Sequence, residues 1–333
     1  MKELKHPAPQ ALDLMLYRDF GNTGIKVSEI GFGCWAIGGN NHGNSYGPTT
    51  DKTSIEAINK AIEMGLNFFD TADVYGWGHS EELLGKALRG KRDRVVIATK
   101  VGADFYQGTG FQTFTSDYIR YALEKSLTRL DTDYIDVYQL HNPPMKLIGK
   151  EETYATLREL KKEGKIRAFG VSVFTPVEGI TAINVGQPDC VQITYNIFSC
   201  RPEELLLPRA LEVGCAIIAR EPLANGFLTG KYETAPKFPA GDFRKNWPME
   251  YIQARSDATR SLAFLKKNGQ QSLAQAALKY PLTDPAVSTV IVGLKDSFMV
   301  EENLAASDSN GLSADDLRQI RELQAVGFNL KSS

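Results

Sequence analysis

The chain is expected to be an α/β protein folded as a (β/α)8 barrel with a β-hairpin ahead of the barrel and extra helices at its C-terminal end. Three observations carry that expectation. Apolar runs of strand length alternate with amphipathic stretches of helical length, about eight times in succession. Several of those runs end in an ionisable residue, Asp70, Lys100 and His141 among them, and parallel barrels gather chemistry at the C-terminal ends of their strands. The competing architecture, an open doubly wound sheet, normally carries GxGxxG after its first strand. Gly31, Gly33, Gly38 and Gly39 do not make that fingerprint in a strand–turn–helix context.

The totals fit this class. At 333 residues the chain is long for one domain, but α/β barrels reach this size undivided. We expect a leader over residues 1–16 and one domain over 17–333. The composition, 42% hydrophobic and 23% charged, is that of an ordinary soluble globular protein. A net charge of −2, with no basic run, gives no electrostatic case for nucleic acid. No segment is apolar enough to span a bilayer, and MKELKHPAPQ lacks the apolar core of a signal peptide. The four cysteines, Cys34, Cys190, Cys200 and Cys215, form no CxxC pair. Buried reduced thiols are expected, and with them a cytoplasmic protein.

In chain order, Pro7 and Pro9 argue against a helix at the N-terminus. Tyr17–Phe20, a turn at Gly21–Gly24 and Lys26–Glu29 read as a hairpin. Ile30–Gly33 is the first barrel strand, followed by Trp35, a polar loop with His42 and Tyr46, and a helix over Thr53–Met64 stopped by Gly65. Leu66–Phe69 is a strand ending at Asp70. Ser80–Leu88 has helical spacing with Ser80 as its start, and Val95–Thr99 is a strand with Lys100 at its tail. A loop over Gly102–Thr115 precedes a helix at Ser116–Leu130, capped by Ser116. Then come a strand at Tyr134–Leu140, a helix at Glu151–Glu163, a strand at Ala168–Val171, a helix at Thr175–Asn184 and a strand at Cys190–Thr194. A helix at Pro202–Val213 and a strand at Ala216–Ala219 follow. The alternation then breaks in a long stretch, Glu221–Arg255, rich in Gly, Pro and Lys, of the kind that serves as a lid or is disordered. Helices at Ile252–Lys267 and Leu273–Tyr280, a strand at Ser288–Val292, and helices at Met299–Ala306 and Ala314–Val326 complete the chain.

The stretch from Asn67 to Lys100 organises the chemistry. Its two strands would set Asp70 and Lys100 side by side on one rim, with Tyr75 on the loop between. An ammonium beside a phenol favours the anion and makes the phenol a better proton donor near neutrality. The same spacing suits a structural ion pair with a surface tyrosine equally well.

DTADVYG, a following strand that ends in TK, and IDVYQLHNP together resemble the aldo-keto reductase family, and the resemblance runs from Tyr17 to Ala306. It implies a catalytic tetrad of Asp70, Tyr75, Lys100 and His141, and a hairpin that covers the bottom of the barrel. In that role a neutral His141 would orient a substrate carbonyl, and Tyr75 would protonate the developing alkoxide as hydride arrives at carbon. Ser172 and Gln192 would offer the donor and acceptor that a nicotinamide carboxamide needs, although Val173 stands where the family usually has Asn. Ile217–Tyr232 resembles the stretch that begins under the nicotinamide and wraps the pyrophosphate, implying Arg220, Glu221, Pro222, Leu223, Asn225, Gly226 and Lys231 as cofactor residues along with Trp35. Arg220 departs from the family's usual aromatic residue. Gly293–Asn303 resembles the adenosine segment and adds Gly293, Leu294, Lys295, Glu302 and Asn303. Lys295 suits a 2′-phosphate and Asp296 opposes one, so NADP is the implied cofactor with NAD as the alternative.

Trp35, Tyr46, Trp77, His79, Phe105 and Tyr106 fall on rim loops, where they can wall a substrate pocket or merely seal loops against the barrel. The function expected is hydride transfer between NADP(H), or NAD(H), and a small aldehyde, ketone or sugar. The alternative is a cofactor-binding regulatory subunit with little turnover. No metal is expected, since only four histidines exist and no ligand spacing stands out.

Overall fold

The computed structural model describes residues 15–329 apart from 40, 43, 44, 107–110, 233, 268 and 309. Residues 1–14, most of the expected leader, lie outside the described residues.

Two short antiparallel strands, β1 (Tyr17–Asp19) and β2 (Lys26–Ser28), form the hairpin. Eight parallel strands close the barrel. They are β3 (Ile30–Gly33), β4 (Phe68–Asp70), β5 (Val96–Val101), β8 (Ile135–His141), β9 (Ile166–Ser172), β10 (Cys190–Thr194), β11 (Ala216–Arg220) and β12 (Val287–Gly293), neighbours in that order with β12 pairing back to β3. The remaining pair, β6 (Ala103–Asp104) and β7 (Phe111–Gln112), is a small rim hairpin inside what the sequence reads as plain loop. Barrel strands are buried on both faces, which is why they read as continuous apolar runs rather than alternating ones.

The hairpin plugs the N-terminal end of the lumen. Phe20, Ile25 and Val27 join Phe68, Val96 and Ala98 in one buried cluster, and the ring centres of Phe20 and Phe68 lie 5.8 Å apart. Burying a phenylalanine of this kind contributes about 2 kcal/mol. Arg18 ties the hairpin down by donating to the carbonyls of Val287, the first residue of β12, and Leu282, the last of the helix before it.

The helices are α1 (Asp51–Glu63), α2 (His79–Ala87), α3 (Ser116–Leu130), α4 (Met145–Ile148), α5 (Glu152–Lys162), α6 (Pro176–Gly186), α7 (Pro202–Val213), α8 (Met249–Arg260), α9 (Leu273–Leu282), α10 (Ser297–Leu304) and α11 (Ala314–Ala325). Threonines cap α1, α3 and α6 (Thr50, Thr115 and Thr175), and serines cap α9 and α11 (Ser272 and Ser313). Two expected caps are displaced. Thr115, not Ser116, caps α3. Gly78, in a left-handed conformation, precedes α2, because the Ser80 hydroxyl is needed inside, where it donates to the Cys34 carbonyl and meets Thr71 Oγ1. The helix read over Ile252–Lys267 begins earlier, at Met249, and ends at Arg260. Beyond it the chain turns inward through a 3-10 segment that buries Leu262 and Leu265. The short α4 was not visible as a separate element in the sequence.

Candidate active site

Asp70 ends β4, Lys100 lies near the end of β5 and His141 ends β8. Parallel closure therefore carries three separate stretches of sequence to one rim. Tyr75 reaches the same point from the turn after β4. That turn is pressed against the loop after β3 at Gly76, where φ is +60° and a Cβ would sit 2.3 Å from the Gly38 carbonyl oxygen, so only glycine fits.

Lys100 is wholly buried. Its ammonium donates to Asp70 Oδ1 at 2.5 Å, to the Thr71 carbonyl at 2.8 Å and to the Tyr75 hydroxyl at 3.3 Å. Burial opposes its charge, but Asp70 and Tyr75 outweigh that and hold its pKa above the ordinary value. Tyr75 differs from the sequence expectation. Burial raises its pKa, and Lys100 only offsets part of the rise, so Tyr75 remains a phenol through neutral pH. His141 packs edge-on against the Tyr75 ring, with centroids 5.8 Å apart. Burial, reinforced by Lys100 and Arg220, lowers the His141 pKa from 6.5 to about 3, so the imidazole is neutral at physiological pH.

Beneath this group lies an amide belt. Asp70 Oδ2 accepts from Gln192 Nε2 at 2.8 Å and from Gln139 Nε2 at 3.1 Å, and Gln192 Nε2 also donates to Gln139 Oε1 at 3.2 Å. Outside the barrel wall, Glu81 is fully buried. It accepts from the Thr99 hydroxyl at 2.5 Å and from Arg129 at 2.7 Å, and Arg129 also donates to the Tyr106 hydroxyl at 2.8 Å. Asp73 is buried beside them. Neither of its oxygens has a hydrogen-bond partner of good geometry among the described residues. Burial and Glu81 raise its pKa well above the usual carboxylate range.

Asp70, Tyr75 and His141, with Lys100 buried behind them, open onto a cleft of about 630 Å³, a volume typical of small-molecule and cofactor sites. Asp70, Tyr75, His141 and Gln192 form one end of its wall, and Gly293, Lys295, Met299, Glu302 and Asn303 form the other. Between them runs the loop after β11, with Arg220, Glu221, Pro222, Leu223, Asn225, Gly226 and Lys231. Glu221, Ala224, Asn225 and Gly226 all have positive φ in that loop, and successive residues of mixed handedness turn backbone N–H groups into a concavity suited to anions. Among the described residues, two buried polar atoms in the wall have no partner, Arg220 Nε and Asn303 Oδ1. A long cleft with a cationic side chain, an anion-holding backbone and an unpaired amide oxygen fits a dinucleotide.

Several expected site residues are engaged elsewhere. Ser172 donates to Asn142 Oδ1 at 3.0 Å and is not part of the cleft wall, and Leu294 is buried behind it. The Arg220 guanidinium pairs with Glu221, donates to the Val173 carbonyl at 3.2 Å and lies over Phe174. Lys295 donates to the Tyr46 carbonyl at 2.5 Å, and burial lowers its pKa. Asp296 caps α10 by accepting from the Met299 amide at 2.8 Å. Among the rim aromatics, Trp35 and Tyr46 line the cleft, and they form an edge-to-face group with Phe243. Trp77, His79 and Phe105 do not line it. Trp77 stacks between His42 and Phe105, Phe105 stacks on Tyr106, and His79 bonds Asp51 at 2.8 Å.

Sequence reasoning passed over Gln139, Arg129, Glu81 and Arg244. Arg244 belongs to a strap after the cleft loop, paired with Asp242 at 2.6 Å, donating to the Asn225 carbonyl at 2.6 Å and lying 4.1 Å from the Phe238 ring centre. The aromatic residues clustered around it in a polar loop, Phe238, Phe243 and Trp247, are the one local signal that pointed there. Among the described residues, no group of three or more His, Cys, Asp or Glu side chains is placed to hold a metal ion, and no helix is long and apolar enough to cross a membrane.

A closed parallel barrel with a buried Asp–Lys pair, and a tyrosine and a histidine at the mouth of a dinucleotide-sized cleft, defines a class of oxidoreductase. The Aldo/keto reductase family model matches residues 29–325. The aldo-keto reductase YhdN of Bacillus subtilis is 35% identical over 93% of this chain and 93% of its own length. The NADH-specific methylglyoxal reductase of Escherichia coli is 32% identical, covering 91% of this chain and 96% of its own. Among solved structures, the glycerol dehydrogenase of Gluconobacter oxydans superposes with a TM-score of 0.80 at 28% identity, over 96% of this chain and 98% of its own. The chain belongs to the aldo/keto reductase family and is an NAD(P)-dependent oxidoreductase of carbonyl and alcohol groups.

Proposed function

We propose that this protein reduces a small aldehyde or ketone, or oxidises the matching alcohol, with Tyr75 as the proton donor and acceptor. The observation that carries the reading is the Tyr75 hydroxyl, a half-buried phenol facing the cleft and 3.3 Å from a buried ammonium that is itself held by Asp70 at 2.5 Å. The bound nicotinamide supplies the hydride in reduction and accepts it in oxidation. The chain's residues handle the oxygen. A neutral His141 donates from one ring nitrogen to the substrate oxygen and orients it. As negative charge develops there, Tyr75 passes its proton to that oxygen, and Lys100 stabilises the phenolate left behind. Asp70 keeps Lys100 charged, and oxidation runs the same transfers in reverse.

NADP(H) is the cofactor we favour, because two cationic side chains, Lys295 and Arg244, line the cleft and Asp296 is occupied in capping α10. The NADH-specific relative makes NAD(H) the alternative. Unpaired thiols at all four cysteines support a reducing compartment, the cytoplasm. Two measurements test the reading. Titration with NADPH and with NADH, followed by tryptophan quenching, should show binding with NADPH the tighter. Tyr75→Phe should bind the cofactor normally and lose turnover by at least about a hundredfold. Retained turnover in a folded Tyr75→Phe protein sinks the mechanism.

A further inference from the structure

Gln139 lies two residues before His141 on β8, in register with Lys100 of β5 on one side and Gly170 of β9 on the other. It is wholly buried, and nothing in the local sequence marks it. Its surroundings leave it one orientation. Asp70 turns Oδ1 to Lys100, so its Oδ2 is satisfied by the two glutamine amides, at 3.1 Å from Gln139 and 2.8 Å from Gln192. An ionised carboxylate only accepts, so both glutamines must present their NH₂ groups to it. The second hydrogen of Gln192 then goes to Gln139 Oε1 at 3.2 Å. Both donors of Gln192 are used inside the barrel, and what it has left for the cleft it borders is its carbonyl oxygen. Gly170 makes this arrangement possible, since a Cβ there would lie 2.3 Å from Cys190 Sγ and 3.3 Å from Gln139 Cγ.

We propose that Gln139 is a positioning residue for the reaction, holding the Asp70 carboxylate and locking Gln192 with its oxygen toward the cleft. The proposal rests on the reading of Asp70, Tyr75, Lys100 and His141 as the active centre. Two consequences follow from the geometry. With an apolar residue at 139, Gln192 is free to turn over and offer a donor to the cleft. Asp70 also loses one of its donors and draws Lys100 more strongly. Lys100 is already closer to Asp70 than to Tyr75, at 2.5 Å against 3.3 Å, so proton donation by Tyr75 suffers.

The decisive variant is isosteric, Gln139→Glu. The groups facing position 139 are Asp70 from β4, Lys100 from β5, and Gln192 and Cys190 from β10, with Cys34, Tyr75 and His141 around the same Asp70–Lys100 pair. While protonated, the introduced carboxyl can donate to Asp70 as the glutamine does; once ionised, it confronts the Asp70 carboxylate. The folded state therefore holds the introduced proton more tightly than the unfolded chain does. Stability matches the wild type at acid pH and is lost as pH rises above the ordinary glutamate value of about 4.3. In the cofactor-free protein, the melting temperature of Gln139→Glu relative to wild type should fall steadily from about pH 5 to 8.5. In Asp70→Asn/Gln139→Glu, where the asparagine amide can donate to the introduced carboxylate, most of that fall should disappear.

With NADPH and para-nitrobenzaldehyde, Gln139→Glu should keep kcat within about threefold of wild type near pH 5.5 and lose about tenfold more by pH 8, with KM little changed. Gln139→Leu should be slow at every pH. An undiminished pH-dependent loss of stability in the Asp70→Asn background would overturn the proposal, as would a wild-type kcat in Gln139→Leu. Failure of the active-centre reading is separately visible, because it appears as retained turnover in Tyr75→Phe and leaves the stability measurement on the cofactor-free protein untouched.

Discussion

His141 gives the most quantitative forecast. Its ring is half-buried at the cleft wall beside two cations, Lys100 and Arg220, which together with desolvation lower its pKa from 6.5 to about 3. In the unfolded chain the same imidazole takes up a proton near pH 6.5. The unfolded state therefore binds more protons than the folded one throughout the window from 6.5 down to 3, and stability falls as the solution is acidified. Each pKa unit is worth about 1.4 kcal/mol, so this one residue costs about 2 kcal/mol between pH 7.5 and pH 5. The assay is urea unfolding of wild type and His141→Gln at both pH values. Other groups titrate in both proteins, so the informative quantity is the difference between their pH dependences. Wild type should lose about 2 kcal/mol more than the variant on acidification. Equal losses would mean that His141 is protonated or exposed in the folded protein, and the neutral hydrogen-bond donor proposed for the carbonyl oxygen would fall with it.

Lys100→Met removes a buried cation while nearly preserving volume, leaving Asp70 Oδ1 and the Thr71 carbonyl without their donor. Breaking such a pair costs about 3–5 kcal/mol, and Asp70→Asn in the same chain should recover part of it; additive losses in thermal unfolding would contradict the coupling. On the outer face of the barrel, Arg129→Met strands the fully buried Glu81 carboxylate and should cost a similar amount in urea unfolding. Arg129→Lys can still pair with Glu81 but cannot also reach Tyr106, so its loss should be much smaller, about 1 kcal/mol.

The positions of Asp70, Lys100 and His141 were readable in sequence because each is tied to a local mark, and Tyr75 follows Asp70 within DTADVYG. A short apolar run ends beside each of the three ionisable residues, and parallel strands bring their ends to one rim whatever the details of the loops. The barrel was readable for the same reason, since period and run length are local properties. Local rules failed where a side chain was claimed by a distant partner. Ser80 has the right type and place for a helix cap, yet its hydroxyl is used on the Cys34 carbonyl.

The sequence places a lysine near Tyr75 but says nothing of how far the phenol is withdrawn from water, and desolvation is the larger effect on its acidity. Gln139 had no mark at all, and Gln192 was marked for the cofactor but not for Asp70. They meet Asp70 across 69 and 122 residues of chain, and only closure of the barrel sets the amide belt beneath the carboxylate. The amino-acid order determined which elements form and which residues end the strands, through periodicity and turn chemistry acting over a few residues. The tertiary structure decided which of those residues lose their water and which hydrogen bonds remain free for a ligand, because burial and pairing depend on groups brought together from every part of the chain.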